Sequence, residues 1–149
     1  MKYYAVIDTN VVVSSMLRHD SIPGAILDLV NSNIIVPLLN EEILNEYIDV
    51  LTRNKFGFSE EDVQDTIDNI RANAIVLKRE QCLEDFIDED DIVFYEIVMS
   101  ARNTMDAYLI TGNIKHYPIR NYVVTPKEML DIIEKGNQQV WLLSKCITF

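Results

Sequence analysis

Three acids stand where an apolar run meets a boundary. Asp8 ends the run Tyr3-Tyr4-Ala5-Val6-Ile7 and is followed by Thr9-Asn10 and a second apolar run, Val11-Val12-Val13. A short, β-branched run that stops this way predicts a buried strand with Asp8 at its carboxyl end. That edge is where open α/β sheets bind ligands. A carboxylate buried there has to be hydrogen-bonded, paired or bound to a metal. The plain alternative is that Asp8 caps the following helix, as Asp often does. Asp91 has Phe94, Tyr95 and Val98 at i+3, i+4 and i+7, so it faces inward at the positive end of a helix dipole. Its neighbours Asp88, Glu89 and Asp90 read mainly as dipole compensation. Glu46 has Ile43 three residues before it and Val50 four after, so it borders a buried stripe. Glu41 borders the other edge of that stripe and Glu42 points further into solvent. The helical wheel alone leaves Glu41 and Glu46 both open. A second strand-end candidate is Thr111-Gly112-Asn113, where glycine permits a tight turn and Thr and Asn supply neutral oxygens and donors. Gly-Asn after a strand is also an everyday turn.

Carboxylates from three distant segments meeting at one sheet edge would repel one another. A hard divalent cation, Mg²⁺ or Mn²⁺, relieves that repulsion through oxygen ligands. No His or Cys cluster points to zinc. Such a site lowers the pKa of bound water and clamps phosphate oxygens, the chemistry of phosphodiester hydrolysis. Arg53, Lys55, Lys115, His116 and Arg120 fall in loops that could flank it and contact phosphates. His116, two residues before Pro118, has the setting of a structural or surface histidine more than of a catalytic base.

The elements that must position these residues follow from the same pattern. After the strand at 3–7, the stretch through Leu17 predicts a short helix. Ser21-Ile22-Pro23 opens a second helix, with proline in the first turn where its missing N–H costs nothing. Ile34 to Leu38 is a strand, and Asn40 caps a helix with Glu41 and Glu42 in its first turn. Ser59 starts another helix, Ala74 to Leu77 is a short strand, and a helix runs from Ile92 to Arg102. Strands follow at Tyr108–Ile110 and Tyr122–Val124. Thr125-Pro126-Lys127-Glu128 is a capping box, and its helix is expected to end near Gly136. This order implies an α/β fold: a three-layer sandwich with a central, mostly parallel sheet flanked by helices. One domain over 1–149 is expected, with 136–149 as an apolar C-terminal tail packing on the body as a helix or strand. The alternative for the tail is a self-association or partner surface.

Composition bounds the rest. The 149 residues are 48% hydrophobic and 25% charged, as in ordinary globular proteins. A net charge of −11 argues against a general nucleic-acid coat protein, although an acidic chain can bind a polyanion through divalent cations. No apolar run approaches the ~20 residues that cross a bilayer. Met1-Lys2 leads directly into a strand with no room for a signal peptide, so a cytoplasmic protein with Cys82 and Cys146 as reduced thiols is expected.

At these residues the chain resembles the PIN-domain family of metal-dependent ribonucleases, and within it the toxin-type (VapC-like) subgroup of bacteria and archaea. The motifs occur in the family's order from Val6 to about Leu130: Asp8-Thr9-Asn10-Val11, Glu46-Tyr47 with Arg53-Asn54-Lys55-Phe56, Asp90-Asp91-Ile92-Val93-Phe94, and Thr111-Gly112-Asn113 through His116-Tyr117-Pro118. The resemblance implies that Asp8, Glu46 and Asp91 are the metal-binding acids, choosing Glu46 over Glu41. It also implies that Asn10, Ser14, Thr111 and Asn113 support them, that RNA is the substrate, and that a cognate antitoxin is the partner, with a homodimer possible. Many PIN domains carry a fourth acid where this chain has Asn113, which bears on a second metal. Asp106 precedes its strand and is expected at the sheet's opposite end.

Rival readings find less support. A haloacid-type phosphotransferase needs an Asp where Asn10 stands, a receiver domain needs an acidic pair at the first strand end, and no glycine-rich nucleotide motif is present. A catalytically silent PIN-like module that binds RNA or protein is the remaining alternative.

Overall fold

The computed structural model describes residues 1–86 and 88–147, without the side chains at 140, 141, 144, 146 and 147. Among the described residues, five strands form one sheet: β1 Tyr3–Ile7, β2 Ile35–Leu39, β3 Ile75–Val76, β4 Ala107–Ile110 and β5 Val123–Val124. Their order is β3-β2-β1-β4-β5 and every pairing is parallel. The α-helices that flank the sheet are α1 Thr9–Leu17, α2 Ile22–Asn31, α3 Glu41–Leu51, α4 Glu60–Ala72, α5 Ile92–Arg102 and α6 Pro126–Ile147. The fold is thus an α/β sandwich around a parallel sheet, whose central strands are apolar throughout because both faces are covered. Ala5, Val6 and Ile7 of β1 are fully buried, as are all five residues of β2 to within a few per cent.

Local chemistry starts the helices where polar punctuation stands. Ser21 accepts from the Gly24 N–H at 3.1 Å, Asn40 from Ile43 at 2.9 Å and Ser59 from Asp62 at 3.1 Å. Thr125 and Glu128 cap each other's backbone N–H, both at 3.1 Å, the two halves of a capping box. The apolar stripes Ile43/Tyr47/Leu51 and Val63/Ile67/Ile70 then bury α3 and α4.

The end of α6 differs from the expectation. The helix does not stop near Gly136 but continues to Ile147. Glycine inside a helix costs only about 1 kcal/mol relative to alanine, and here its bare Cα is a packing requirement. A Cβ at Gly136 would collide with the Tyr3 hydroxyl and approach Met1 Sδ at 3.7 Å. The tail is therefore helical, with Leu142 and Leu143 exposed; the side chains of Val140, Trp141 and Cys146 lie outside the described residues. Cys82 is a free thiol. No helix among the described residues is long and apolar enough to cross a membrane.

Candidate metal centre

β1 and β4 lie side by side, and the chain leads from them to opposite halves of the sheet: β2 and β3 on one side, β5 on the other. A parallel sheet leaves a crevice beyond the strand ends at such a switch point. Ile7 pairs with Ile110, so Asp8 and Thr111 are the first residues past two aligned ends.

Asp8 occupies the N-cap position of α1, yet its side chain makes no capping hydrogen bond. The carboxylate turns to the crevice instead. Its Oδ2 accepts from Thr111 Oγ1 at 2.8 Å, from the Tyr117 hydroxyl at 3.0 Å and from Asn10 Nδ2 at 3.3 Å. Oδ1 receives no side-chain donor among the described residues. The turn after β4 directs two of the three donors. The Asn113 N–H donates to Thr111 Oγ1 at 2.9 Å, which leaves the Thr111 proton for Asp8. The Gly112 N–H donates to Asn10 Oδ1 at 3.0 Å, which turns the amide nitrogen of Asn10 toward Asp8. A Cβ on Gly112 would press on that amide at 3.3 Å. Beneath the site, the Tyr47 hydroxyl of α3 donates to the carbonyl of Ile7 and fixes the end of β1.

Asp8 is only 5% exposed. Burial pushes its carboxyl above the ordinary range, and the bonds from Thr111 and Tyr117, then from the backbone N–H groups of Asn10 and Thr9, offset part of the rise. Asp91, at the start of α5, is hydrogen-bonded through Oδ2 to His116 Nδ1 at 3.1 Å. Its carboxyl is also raised, by burial first and the charge of Asp8 second, with the His116 bond acting in the opposite sense. Glu46 is half-buried on α3. Its carboxyl is raised by burial, then by the charges of Asp90 and Asp49, with Arg53 opposing and Asp8 adding to the rise. Asp91 is linked to Asp8 through the neighbours His116 and Tyr117, and the charge of Asp8 bears on Glu46 as well. The three acids are not gathered around one point: among the described residues, no three His, Cys, Asp or Glu side chains stand close enough to hold a metal ion.

The other sequence candidates separate clearly. Glu41 and Glu42 are exposed, and Glu42 pairs with Arg79 at 2.7 Å. Asp88, Glu89 and Asp90 are exposed while Asp91 is half-buried. Asp106 lies before β4 and pairs with Arg102 at 3.2 Å. Ser14 is exposed on α1, with no side-chain hydrogen bond among the described residues, and Asn113 contributes its backbone N–H. Arg53 pairs with Asp49 at 3.2 Å, Lys55 lies 5.0 Å over the Phe56 ring, and Arg120 pairs with Glu84 at 3.2 Å. Lys115 is exposed and has no ion-pair partner among the described residues.

Two features escape sequence reasoning. Tyr117 is one; it appears in the last motif without a role. The other is Glu96, a buried acid whose Oε1 takes Arg79 Nη2 at 2.6 Å and Nε at 2.7 Å while Oε2 accepts the Cys82 N–H at 2.8 Å. It clamps the polar stretch after β3 onto α5. A lone Glu within the apolar run Ile92 to Val98 is the signal that could have found it.

Comparison with known proteins agrees with this architecture. The chain is 28% identical over 151 aligned positions to the uncharacterised protein MJ1680 of Methanocaldococcus jannaschii, covering 91% of this chain and 94% of that protein. No solved structure matches it. The sequence model of the PIN domain matches residues 4–115, from β1 through the crevice to the turn beyond β4, and on that match the chain belongs to the PIN-domain family.

Proposed function

We propose that this protein is a divalent-metal-dependent endoribonuclease that hydrolyses RNA phosphodiester bonds. The observation that carries the reading is Asp8, a carboxylate held by three side-chain donors at the switch-point crevice, whose charge burial disfavours and whose field reaches Glu46 and Asp91. A buried acid in this setting is short of positive charge. The donors available are all oxygens, which suits Mg²⁺ or Mn²⁺. Asp8, Glu46 and Asp91 would hold the ion. Such an ion supplies an acidified water and neutralises charge on a phosphate.

The chain's own residues do the positioning. Asn10 and Thr111 hold the Asp8 carboxylate, and the N–H of Asn113 holds Thr111. Ser14, two turns into the crevice-side helix in sequence, supports them in this reading. Arg53, Lys55, Lys115 and His116 would bind the RNA backbone. Membership of the family favours a toxin role, with a cognate antitoxin as partner and a homodimer as its assembly.

A second reading, a silent RNA- or protein-binding module, draws on Asn113 standing where many relatives have an acid and on acids that are not pre-gathered. One assay decides between them. Single-stranded RNA is incubated with the protein in Mg²⁺ or Mn²⁺, in excess chelator, and with Asp8→Asn. Cleavage that needs the metal and disappears in a folded Asp8→Asn protein supports the nuclease. RNA binding without cleavage supports the silent module, and cleavage in chelator overturns the metal mechanism.

A further inference from the structure

The side-chain donors on Asp8 come from three separate pieces of chain: α1 through Asn10, the end of β4 through Thr111, and the segment after it through Tyr117. All three end on the same oxygen. A carboxylate oxygen has two lone pairs, so three donors leave Oδ2 saturated. Rotation about the Cβ–Cγ bond would break all of the bonds at once. Tyr117 is a tightly held donor: its ring is 5% exposed and Phe86 packs edge-on against it at 6.1 Å and 84°. The residue before it, His116, bonds to Asp91. One dipeptide therefore touches two of the three acids and spans the distance between them.

We propose that Tyr117 is a positioning residue for the metal site, its phenol fixing the orientation of the Asp8 carboxylate toward a divalent cation. The inference rests on the metal-nuclease reading and deepens it. Orientation through an outer partner is a common source of metal affinity, and losing one such partner typically weakens binding by about 10–100-fold. Tyr117 acts before the RNA arrives, so its loss is felt in the metal concentration required and not in the rate at saturation.

A second buried tyrosine provides the control. Tyr47 is 1% exposed and donates to the Ile7 carbonyl, one residue from Asp8, but does not touch the carboxylate. Tyr47→Phe removes a comparable buried hydrogen bond without removing a donor from Asp8. The experiment measures Mn²⁺ binding calorimetrically and the Mn²⁺ dependence of RNA cleavage for wild type, Tyr117→Phe and Tyr47→Phe, with circular dichroism to confirm that each is folded. The expected result is Mn²⁺ half-saturation raised roughly 10-fold or more in Tyr117→Phe, a cleavage rate recovered at saturating Mn²⁺, and unchanged half-saturation in Tyr47→Phe. Wild-type and Tyr117→Phe curves that coincide would overturn the positioning role and leave the nuclease standing. Equal shifts in both variants would reduce Tyr117 to a structural residue. If wild type neither binds Mn²⁺ nor cleaves, the nuclease reading falls and takes the inference with it.

Discussion

Replacing Asp8 by asparagine separates what the site costs the fold from what it gives the chemistry. The carboxyl is 5% exposed, and its pKa is raised by burial beyond what the Thr111 and Tyr117 bonds recover. A raised acid binds its proton more tightly in the folded than in the unfolded state. Its contribution to stability is therefore full below the unfolded value of 3.8 and is lost as pH rises through the higher folded value. At neutral pH without metal, the ionised side chain is a net burden. The amide of Asp8→Asn keeps an oxygen to accept from Thr111 and Tyr117 and carries no charge. Weakening three charge-assisted bonds to neutral ones costs part of the gain, so the net stabilisation is on the order of 1 kcal/mol. For a chain of this length that is roughly 2–4 °C in Tm. Thermal unfolding followed by circular dichroism in chelator at about pH 7.5 measures it. The advantage of Asp8→Asn should shrink as pH falls into the carboxyl range, and saturating Mn²⁺ should reverse it by stabilising only the wild type. A folded Asp8→Asn protein that melts below wild type under the same chelated, near-neutral conditions would refute the reasoning.

Glu46→Gln and Asp91→Asn should each lower metal-dependent RNA cleavage by about 100-fold or more while leaving the far-ultraviolet spectrum intact; activity retained in either would remove that acid from the site. Glu96→Ala strands Arg79 and the Cys82 N–H. Because Arg79 keeps a 36% exposed side chain, the loss should be about 2–3 kcal/mol in urea unfolding, below the ~3–5 of a fully buried pair. Gly136→Ala should destabilise by about 1 kcal/mol despite alanine's better helix propensity, since its methyl meets the Tyr3 hydroxyl. That hydroxyl is buried with no hydrogen-bond partner among the described residues, so Tyr3→Phe should be tolerated and should rescue Gly136→Ala in a double-mutant cycle.

The elements were legible because their boundaries are local chemistry. Ser21, Asn40 and Ser59 cap the helices they precede, and the β-branched runs between them are too short for helices. Asp8 could be recognised as more than a cap because an apolar strand delivers it to the sheet's edge. The helical wheel does not choose Glu46 over Glu41, since both border the stripe; family likeness does. Glu46 is half-buried and Glu41 exposed. Gly136 misleads because glycine after an apolar stripe looks the same whether it ends a helix or lets one pass close to a neighbour. Only the position of Tyr3, more than a hundred residues away, distinguishes the two. Tyr117 and the Glu96–Arg79 clamp were hidden for the same reason: each is a polar contact between segments distant in sequence. The turn at Thr111–Asn113 was visible as a turn, but not its use of two N–H groups to aim Thr111 and Asn10 at one oxygen.

The central claim is that Asp8, Glu46 and Asp91 close on one cation. Anomalous scattering at the manganese edge, from crystals of the wild-type protein grown with Mn²⁺, tests it directly. A peak bonded to Asp8 and reached by Glu46 and Asp91, with Asp91 turned away from His116, is the predicted result. Ordered Mn²⁺ elsewhere, with Asp91 still on His116 and nothing beside Asp8, would contradict it.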